Sequence, residues 1–214
     1  MILTFATQKG GVGKTTLAVA FANYLSLKKE KVNVFDFDYQ KSFFQKWKED
    51  EELELPKLYE VEVIDFESET KMEFQQLADM KSSDEIYLFD LAGTLDERYM
   101  DLLYYSDFIV IPFEYSDVST KSTLVFINLL GMIESEATRI FVRSKYDKGY
   151  FYKNQEGMDA EIRKYGKLLD TPVYKRNVLQ SINTRKLSYE QRLAVEQTFK
   201  ELTEYINEVK EITV

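Results

Sequence analysis

Apolar residues fall in short runs separated by longer stretches of helical period, and the two kinds of segment alternate along the chain. Ile2-Leu3-Thr4-Phe5-Ala6 is short enough for a buried strand, and the pattern Leu17-Ala18-Val19-Ala20-Phe21-Ala22 predicts a helix over residues 15–29. Val32–Phe37 reads as a second buried strand, Leu58–Asp65 as a third, and Glu69–Met80 as a helix. Ile86–Asp90, Asp107–Phe113 and Arg139–Arg143 are further apolar runs, with a helix from about Val118 to Glu134 between the last two. Met158–Leu169 suggests a helix, and the last helix, about Tyr189 to Glu211, places Leu193, Phe199, Leu202, Ile206 and Val209 near one face. Phe43, Phe44 and Trp47 have helical spacing and read as packing residues, while Glu49–Glu52 reads as a solvated acidic turn. Strands alternating with helices predict an α/β fold: a doubly wound, mainly parallel sheet flanked by helices.

Chemistry enters between the first strand and the first helix. Gln8-Lys9-Gly10-Gly11-Val12-Gly13-Lys14-Thr15-Thr16 is glycine-rich and sits in the strand–loop–helix context of a phosphate-binding loop. Glycines let backbone N–H groups approach phosphate oxygens, and the helix N-terminus adds its positive dipole end. Lys14 is placed to reach β- and γ-phosphates, and Thr15 to hold Mg²⁺. A strict phosphate loop has glycine where this chain has Gln8, and Lys9 follows it. The second strand ends in Asp36-Phe37-Asp38-Tyr39-Gln40-Lys41-Ser42, two carboxylates at the strand end where open parallel sheets bind ligands. Ile86–Asp90 is followed by Leu91-Ala92-Gly93-Thr94, the Walker B pattern: Asp90 would bind Mg²⁺ through water, and Gly93 would permit close approach of its loop to the γ-phosphate.

Composition narrows the classes. With 214 residues, 44% hydrophobic and 30% charged, the chain is expected to form one soluble domain, 1–214, with a sizeable core. It has no cysteine, which excludes disulfides and fits a reducing cytoplasm, and no histidine, which excludes His-ligated metal and His-based catalysis. The start lacks the basic region of a signal peptide, and no apolar stretch approaches the roughly 18 residues of a membrane span. A net charge of −9 argues against whole-surface attraction to nucleic acid. Lys175, Arg176, Arg185, Lys186 and Arg192 nevertheless gather around the single acid Glu190, either as a nucleic-acid patch or as an ordinary helix-end cluster. The last helix is acidic and is expected to pack on the domain, since anionic lipid repels it. Ser144-Lys145-Tyr146-Asp147 differs at one position from the Asn-Lys-x-Asp element that reads guanine in GTPases, and Asp90 to Gly93 gives their Asp-x-x-Gly, so a guanine reading stands beside the adenine one.

The segment Lys-Gly-Gly-x-Gly-Lys-Thr-Thr resembles the deviant Walker A motif of the ParA/MinD family of ATPases. Asp36–Ser42 resembles that family's Asp-x-Asp-Pro-Gln-x-Ser segment, with Tyr39 in place of proline, so the loop is expected to be less rigid. Asp107–Pro112 is similar to its Asp-x-hydrophobic-Ile-Pro strand, and Thr171–Arg176 to the short final strand of small ParA proteins. The resemblance implies the P-loop NTPase fold with neighbouring Walker A and Walker B strands. It implies ATP and Mg²⁺ as cofactors, with nucleotide held by Lys9, Gly10, Gly11, Val12, Gly13, Lys14, Thr15 and Thr16, and metal by Thr15, Asp38 and Asp90. Lys9, Lys14 and Asp38 are then the catalytic set: Lys9 reaches across an ATP-dependent homodimer to the partner's nucleotide, and Asp38 orients the attacking water. The base pocket lies around Ser144–Asp147 and Thr171–Val173. Partners implied are non-specific DNA, bound through Lys175, Arg176, Arg185, Lys186 and Arg192, and a small centromere-binding protein that stimulates hydrolysis; no membrane is implied. The expected role is partition of plasmid or other DNA, in the cytoplasm and on the nucleoid when ATP is bound. The phosphate loop starts at residue 8, so the chain looks like the short ParA type without an operator-binding extension. The other readings are a MinD-like or ParA-like positioning ATPase with protein cargo, a P-loop GTPase, and a P-loop enzyme making a small metabolite, for which no second substrate motif is recognisable.

Overall fold

A computed structural model of the chain describes residues 1–64, 74–94 and 96–213. The strands are β1 Ile2–Phe5, β2 Val32–Phe37, β3 Val61–Val63, β4 Ile86–Leu91, β5 Phe108–Phe113, β6 Thr138–Arg143 and β7 Lys167–Leu168. The α-helices are α1 Lys14–Leu27, α2 Ser42–Glu49, α3 Phe74–Ser82, α4 Met100–Tyr105, α5 Asp117–Met132, α6 Gln155–Ile162 and α7 Tyr189–Thr213. The strands form one sheet in the order β3-β2-β4-β1-β5-β6-β7, and every pairing is parallel. All C-terminal strand ends, and the loops that leave them, therefore open at one end of the sheet.

A parallel sheet is covered on both faces, which is why its strands read as near-continuous apolar runs. Successive side chains of β1 divide between the faces: Leu3 and Phe5 join the core under α1, α2 and α7, whereas Ile2 joins the core under α3 to α6. Phe43 and Trp47 are buried as their spacing predicts, and the Trp47 indole N–H donates to the Tyr59 carbonyl at 3.0 Å. Among the described residues, no helix is long and apolar enough to cross a membrane.

Several expected elements differ. The expected strand Leu58–Asp65 contracts to Val61–Val63, and Asp65 lies outside the described residues, as does 69–73 of the helix expected from Glu69. The expected helix Met158–Leu169 stops at Ile162, and its last residues supply edge strand β7 instead. Gly166 explains this: a Cβ there would lie 2.4 Å from the Arg139 carbonyl oxygen, an approach only glycine allows. Leu169 N–H then donates to the Phe141 carbonyl at 3.0 Å. Thr171–Arg176 is not a strand: it runs beside the end of β6 through Val173 N–H to the Arg143 carbonyl and one isolated bridge, Tyr146 to Tyr174. Along α7 the buried apolar positions are Val195, Phe199, Leu202 and Ile206, while Leu193 is 58% exposed. The Glu49–Glu52 stretch is not wholly solvated, because the Asp50 carboxylate is buried and accepts the Thr184 N–H (2.6 Å) and hydroxyl (2.9 Å).

Gly166→Ala is expected to destabilise the protein by about 1–3 kcal/mol, the usual cost of overpacking. Gly131→Ala in α5, where a Cβ meets nothing within 4 Å, is expected to be neutral or stabilising. Urea denaturation of the two variants checks the contrast; equal midpoints would remove the close approach at Gly166 as the cause of the early helix end.

Candidate phosphate-binding site

The loop from β1 to α1 lies at the C-terminal end of the sheet, and its geometry follows from its glycines. Gly11 (φ 82°) and Gly13 (φ 84°) adopt the left-handed conformation, and Gly13 is the N-cap of α1. Val12 is buried and anchors the loop, while Gly10 and Gly11 are exposed. The loop's carbonyls are tied from behind: Ser144 Oγ donates to the Val12 carbonyl at 2.7 Å, and Lys145 Nζ donates to the Gly11 carbonyl. Lys145 itself has φ 51°, a left-handed conformation unusual for a lysine. Among the described residues, the backbone N–H groups of Gly10 to Thr16 donate to no protein acceptor; Leu17 N–H closes the first helical bond to the Gly13 carbonyl at 2.9 Å. A helix N-terminus behind a row of unengaged amides is an anion cradle.

Gly93 completes the cradle, for a reason the sequence did not give. A Cβ there would lie 2.9 Å from Gly10 N and 3.2 Å from the Lys9 carbonyl carbon, so Gly93 packs directly on the phosphate loop. The loops after β1 and β4 are thus in backbone contact.

Beneath the loop lies a buried ion pair. Lys14 Nζ is 2.5 Å from Asp90 Oδ1, with side-chain exposures of 8% and 0%. The second Asp90 oxygen is buried and has no hydrogen-bond partner among the described residues. Burial pushes the Asp90 carboxyl above its ordinary range, and the nearby Lys14 ammonium opposes that shift. Thr15, partly exposed, has its hydroxyl 3.5 Å from Lys14 Nζ. One carboxylate and one hydroxyl beside an anion cradle suit Mg²⁺, which keeps several waters and takes phosphate oxygens. The orphaned Asp90 oxygen is the observation that fits such an ion.

Asp36 lies in register with Asp90 across β2 and β4. It is fully buried and holds the following loop: Oδ1 accepts the Asp38 N–H (3.1 Å) and Oδ2 the Phe44 N–H (2.9 Å). Asp38 is partly exposed, and its Oδ1 accepts the Gln40 N–H at 2.9 Å. The two strand-end carboxylates therefore differ in role, since Asp36 shapes the loop that presents Asp38. Lys9 Nζ donates to Ser116 Oγ at 3.3 Å, and the same oxygen caps α5 by accepting Ser119 N–H at 3.2 Å. Ser116 has no signal in the sequence beyond preceding a helix.

Four of the five basic residues lie at the surface and the fifth does not. Lys175, Arg176, Lys186 and Arg192 are exposed, and Arg192 Nε lies 3.7 Å from Glu196. Arg185 is a correction: it is 4% exposed, and its guanidinium donates to the Trp47 carbonyl (2.9 Å) and the Asp50 carbonyl (3.3 Å). Its charge serves the interior. Lys28, which the sequence did not single out, lines a groove with Arg192 between α1 and α7.

The profile of the CobQ/CobB/MinD/ParA nucleotide binding domain matches residues 3–211. A plasmid partition protein from Borrelia burgdorferi bound to AMPPNP superposes with a TM-score of 0.74 at 16% identity, covering 97% of this chain and 98% of that one. MinD in the MinC:MinD cell division complex of Aquifex aeolicus gives 0.70 at 17% identity, with 95% and 96% covered. The pNOB8 ParA bound to nonspecific DNA gives 0.64 at 15% identity, with 97% and 98% covered. At these identities the likeness is one of fold. No curated protein sequence matches the chain significantly.

The burial of Asp36 has a pH signature. Loss of water pushes its carboxyl from 3.8 up to about 6; Asp90 adds to this, and the Phe44 and Asp38 N–H groups oppose it. Between those values the folded chain holds a proton that the unfolded chain has released, so stability falls as pH rises through the window and levels off above it. The contribution lost is up to roughly 3 kcal/mol. Asp36→Asn, which cannot ionise, is expected to gain on wild type in urea denaturation at pH 6.5 relative to pH 4.5. A difference between the two proteins that is the same at both pH values would contradict the raised carboxyl.

Proposed function

The chain belongs to the CobQ/CobB/MinD/ParA nucleotide-binding family, and from that premise we propose that it is a Mg²⁺-dependent ATPase that dimerises on ATP and partitions plasmid or other DNA. The observation that carries the reading is the buried Lys14–Asp90 pair, with its orphaned Asp90 oxygen, beneath the unengaged amides of the phosphate loop. The amides of Gly10 to Thr16 receive phosphate oxygens. Lys14 exchanges its carboxylate partner for the β- and γ-phosphates, and Asp90, with Thr15, holds the hydrated metal. Mg²⁺ held by Asp90 and Thr15 would supply positive charge against the β- and γ-phosphates, lowering the cost of the charge that builds on the leaving oxygen. Asp38 orients the water whose oxygen bonds to the γ-phosphorus. Lys9 leaves Ser116 and reaches the γ-phosphate of the second protomer, where its charge stabilises the transition state.

The neighbour bound to nonspecific DNA supports a DNA cargo, and the exposure of Lys175, Arg176, Lys186 and Arg192 supplies cations for it. Stimulation by a small centromere-binding partner belongs to the same reading. A protein cargo is the second reading, favoured by the likeness to MinD in its complex with MinC. Guanine remains the alternative base, because Ser144 and Lys145 lie directly against the phosphate loop.

Lys9 tests the reading most directly. In an Asp38→Ala background that prevents turnover, light scattering is expected to show ATP-dependent dimers that Lys9→Ala abolishes while still binding ATP. Equal dimer fractions with and without Lys9 would leave it a partner of Ser116 only. Dimers formed with GTP rather than ATP would promote the guanine reading.

DNA binding is expected to require ATP, to fall with salt and to drop roughly tenfold or more in Lys175→Glu/Lys186→Glu, because non-specific affinity follows the phosphates neutralised. Filter binding at low and moderate salt reads this out. Absence of binding by wild type at low salt favours protein cargo.

A further inference from the structure

We propose that Tyr39, Asp96 and Arg98 form a side-chain clasp that positions Asp38. The inference rests on the catalytic role given to Asp38 above.

The loop after β2 is a tight turn. Lys41 N–H donates to the Asp38 carbonyl at 2.9 Å, which places Tyr39 at the second position of a β-turn. Proline is favoured there because its ring presets φ. Tyrosine supplies no such restraint, so a turn that carries a reacting group needs another one. Backbone ties through Asp36 and the Asp38 carboxylate hold its inner side. The outer side is held by Tyr39 itself.

The Tyr39 hydroxyl donates to Asp96 Oδ2 at 2.8 Å. Asp96 is in turn fixed from three directions by one residue: its Oδ1 accepts the Arg98 N–H (3.0 Å) and Nε (2.8 Å), and its Oδ2 accepts Arg98 Nη2 (2.5 Å). The first of these bonds caps the short 3₁₀ turn Glu97–Tyr99. The Arg98 guanidinium also lies over the Tyr39 ring, 4.8 Å from its centre. Phenol, carboxylate and guanidinium thus close a ring, with a charge-assisted hydrogen bond on one side and a cation–π contact on the other. A phenylalanine at position 39 would keep the second contact and lose the first.

The clasp has a destination. Asp96 belongs to the loop after β4, and that loop also carries Gly93, whose backbone lies against Gly10 of the phosphate loop. Tyr39 therefore ties the turn that presents Asp38 to the segment that touches the phosphate cradle. Asp38 is held in a frame built on the same loop that meets the nucleotide. A misplacement of about 1 Å in such a group costs on the order of a hundredfold in rate, and a loosened turn costs part of that.

Single-turnover hydrolysis of Mg²⁺-ATP, with the nucleotide dissociation constant measured separately, tests this on wild type, Tyr39→Phe, Tyr39→Pro and Asp38→Ala. Tyr39→Phe is expected to slow hydrolysis about tenfold while ATP affinity stays within about twofold, since positioning acts in the transition state. Tyr39→Pro is expected to restore most of the lost rate, because the ring supplies the turn restraint directly. Tyr39→Phe at the wild-type rate, or a loss that appears in affinity instead, overturns the clasp. Tyr39→Pro as slow as Tyr39→Phe overturns positioning in favour of a direct role for the hydroxyl. Asp38→Ala at the wild-type rate overturns the reading of Asp38 itself, and that failure is distinct from failure of the clasp alone.

Discussion

A buried ammonium and a buried carboxylate cannot part company without a replacement for each, and the Lys14–Asp90 pair imposes that condition on the whole end of the sheet. Removing either partner leaves an uncompensated charge at a depth where it costs about 3–5 kcal/mol. The pairing of β1 with β4 sets Asp90 opposite Phe5, at the strand end from which the phosphate loop leaves. The glycine turn before α1 then aims Lys14 inward. A ligand that separates the pair must bring negative charge for the lysine and positive charge for the aspartate together. A magnesium-complexed phosphate chain does both, whereas a bare anion or a bare cation does one.

The loops follow from this arrangement in order of their distance from the pair. Ser144 and Lys145 hold the carbonyls of the phosphate loop on one side, and Gly93 presses on it from the other. Asp36 sits beside Asp90 and takes two backbone N–H groups, which fixes where the chain turns after β2. Its burial beside Asp90 keeps its proton affinity high, so the same residue that shapes the turn makes the fold sensitive to pH.

The parts of this structure legible in the sequence are those where one local pattern decides the outcome. Apolar runs located β1, β2, β4, β5 and β6, and the Gly10–Thr16 spacing located the phosphate loop. What escaped depends on contacts between distant segments. Met158, Ile162 and Leu169 have helical spacing, but Gly166 must lie against Arg139, and the chain leaves the helix to do so; an isolated glycine inside the pattern was the available signal. Arg185 looks like its exposed neighbours until the carbonyls of Trp47 and Asp50 arrive from elsewhere in the chain. Asp50 is likewise drawn inside by Thr184, although its neighbours in sequence are acidic and exposed. Tyr39 was visible as a departure from proline, but Asp96 and Arg98 become its partners only when two loops are brought together.

The two borders of the sheet are short: Val61–Val63 on one side and Lys167–Leu168 on the other. A border strand of two or three residues offers few free backbone groups, so another chain gains little by adding a strand there. Short borders of this kind disfavour edge-to-edge pairing between copies of the chain. A contact between two copies would then rest on side chains and loops and not on a backbone ladder.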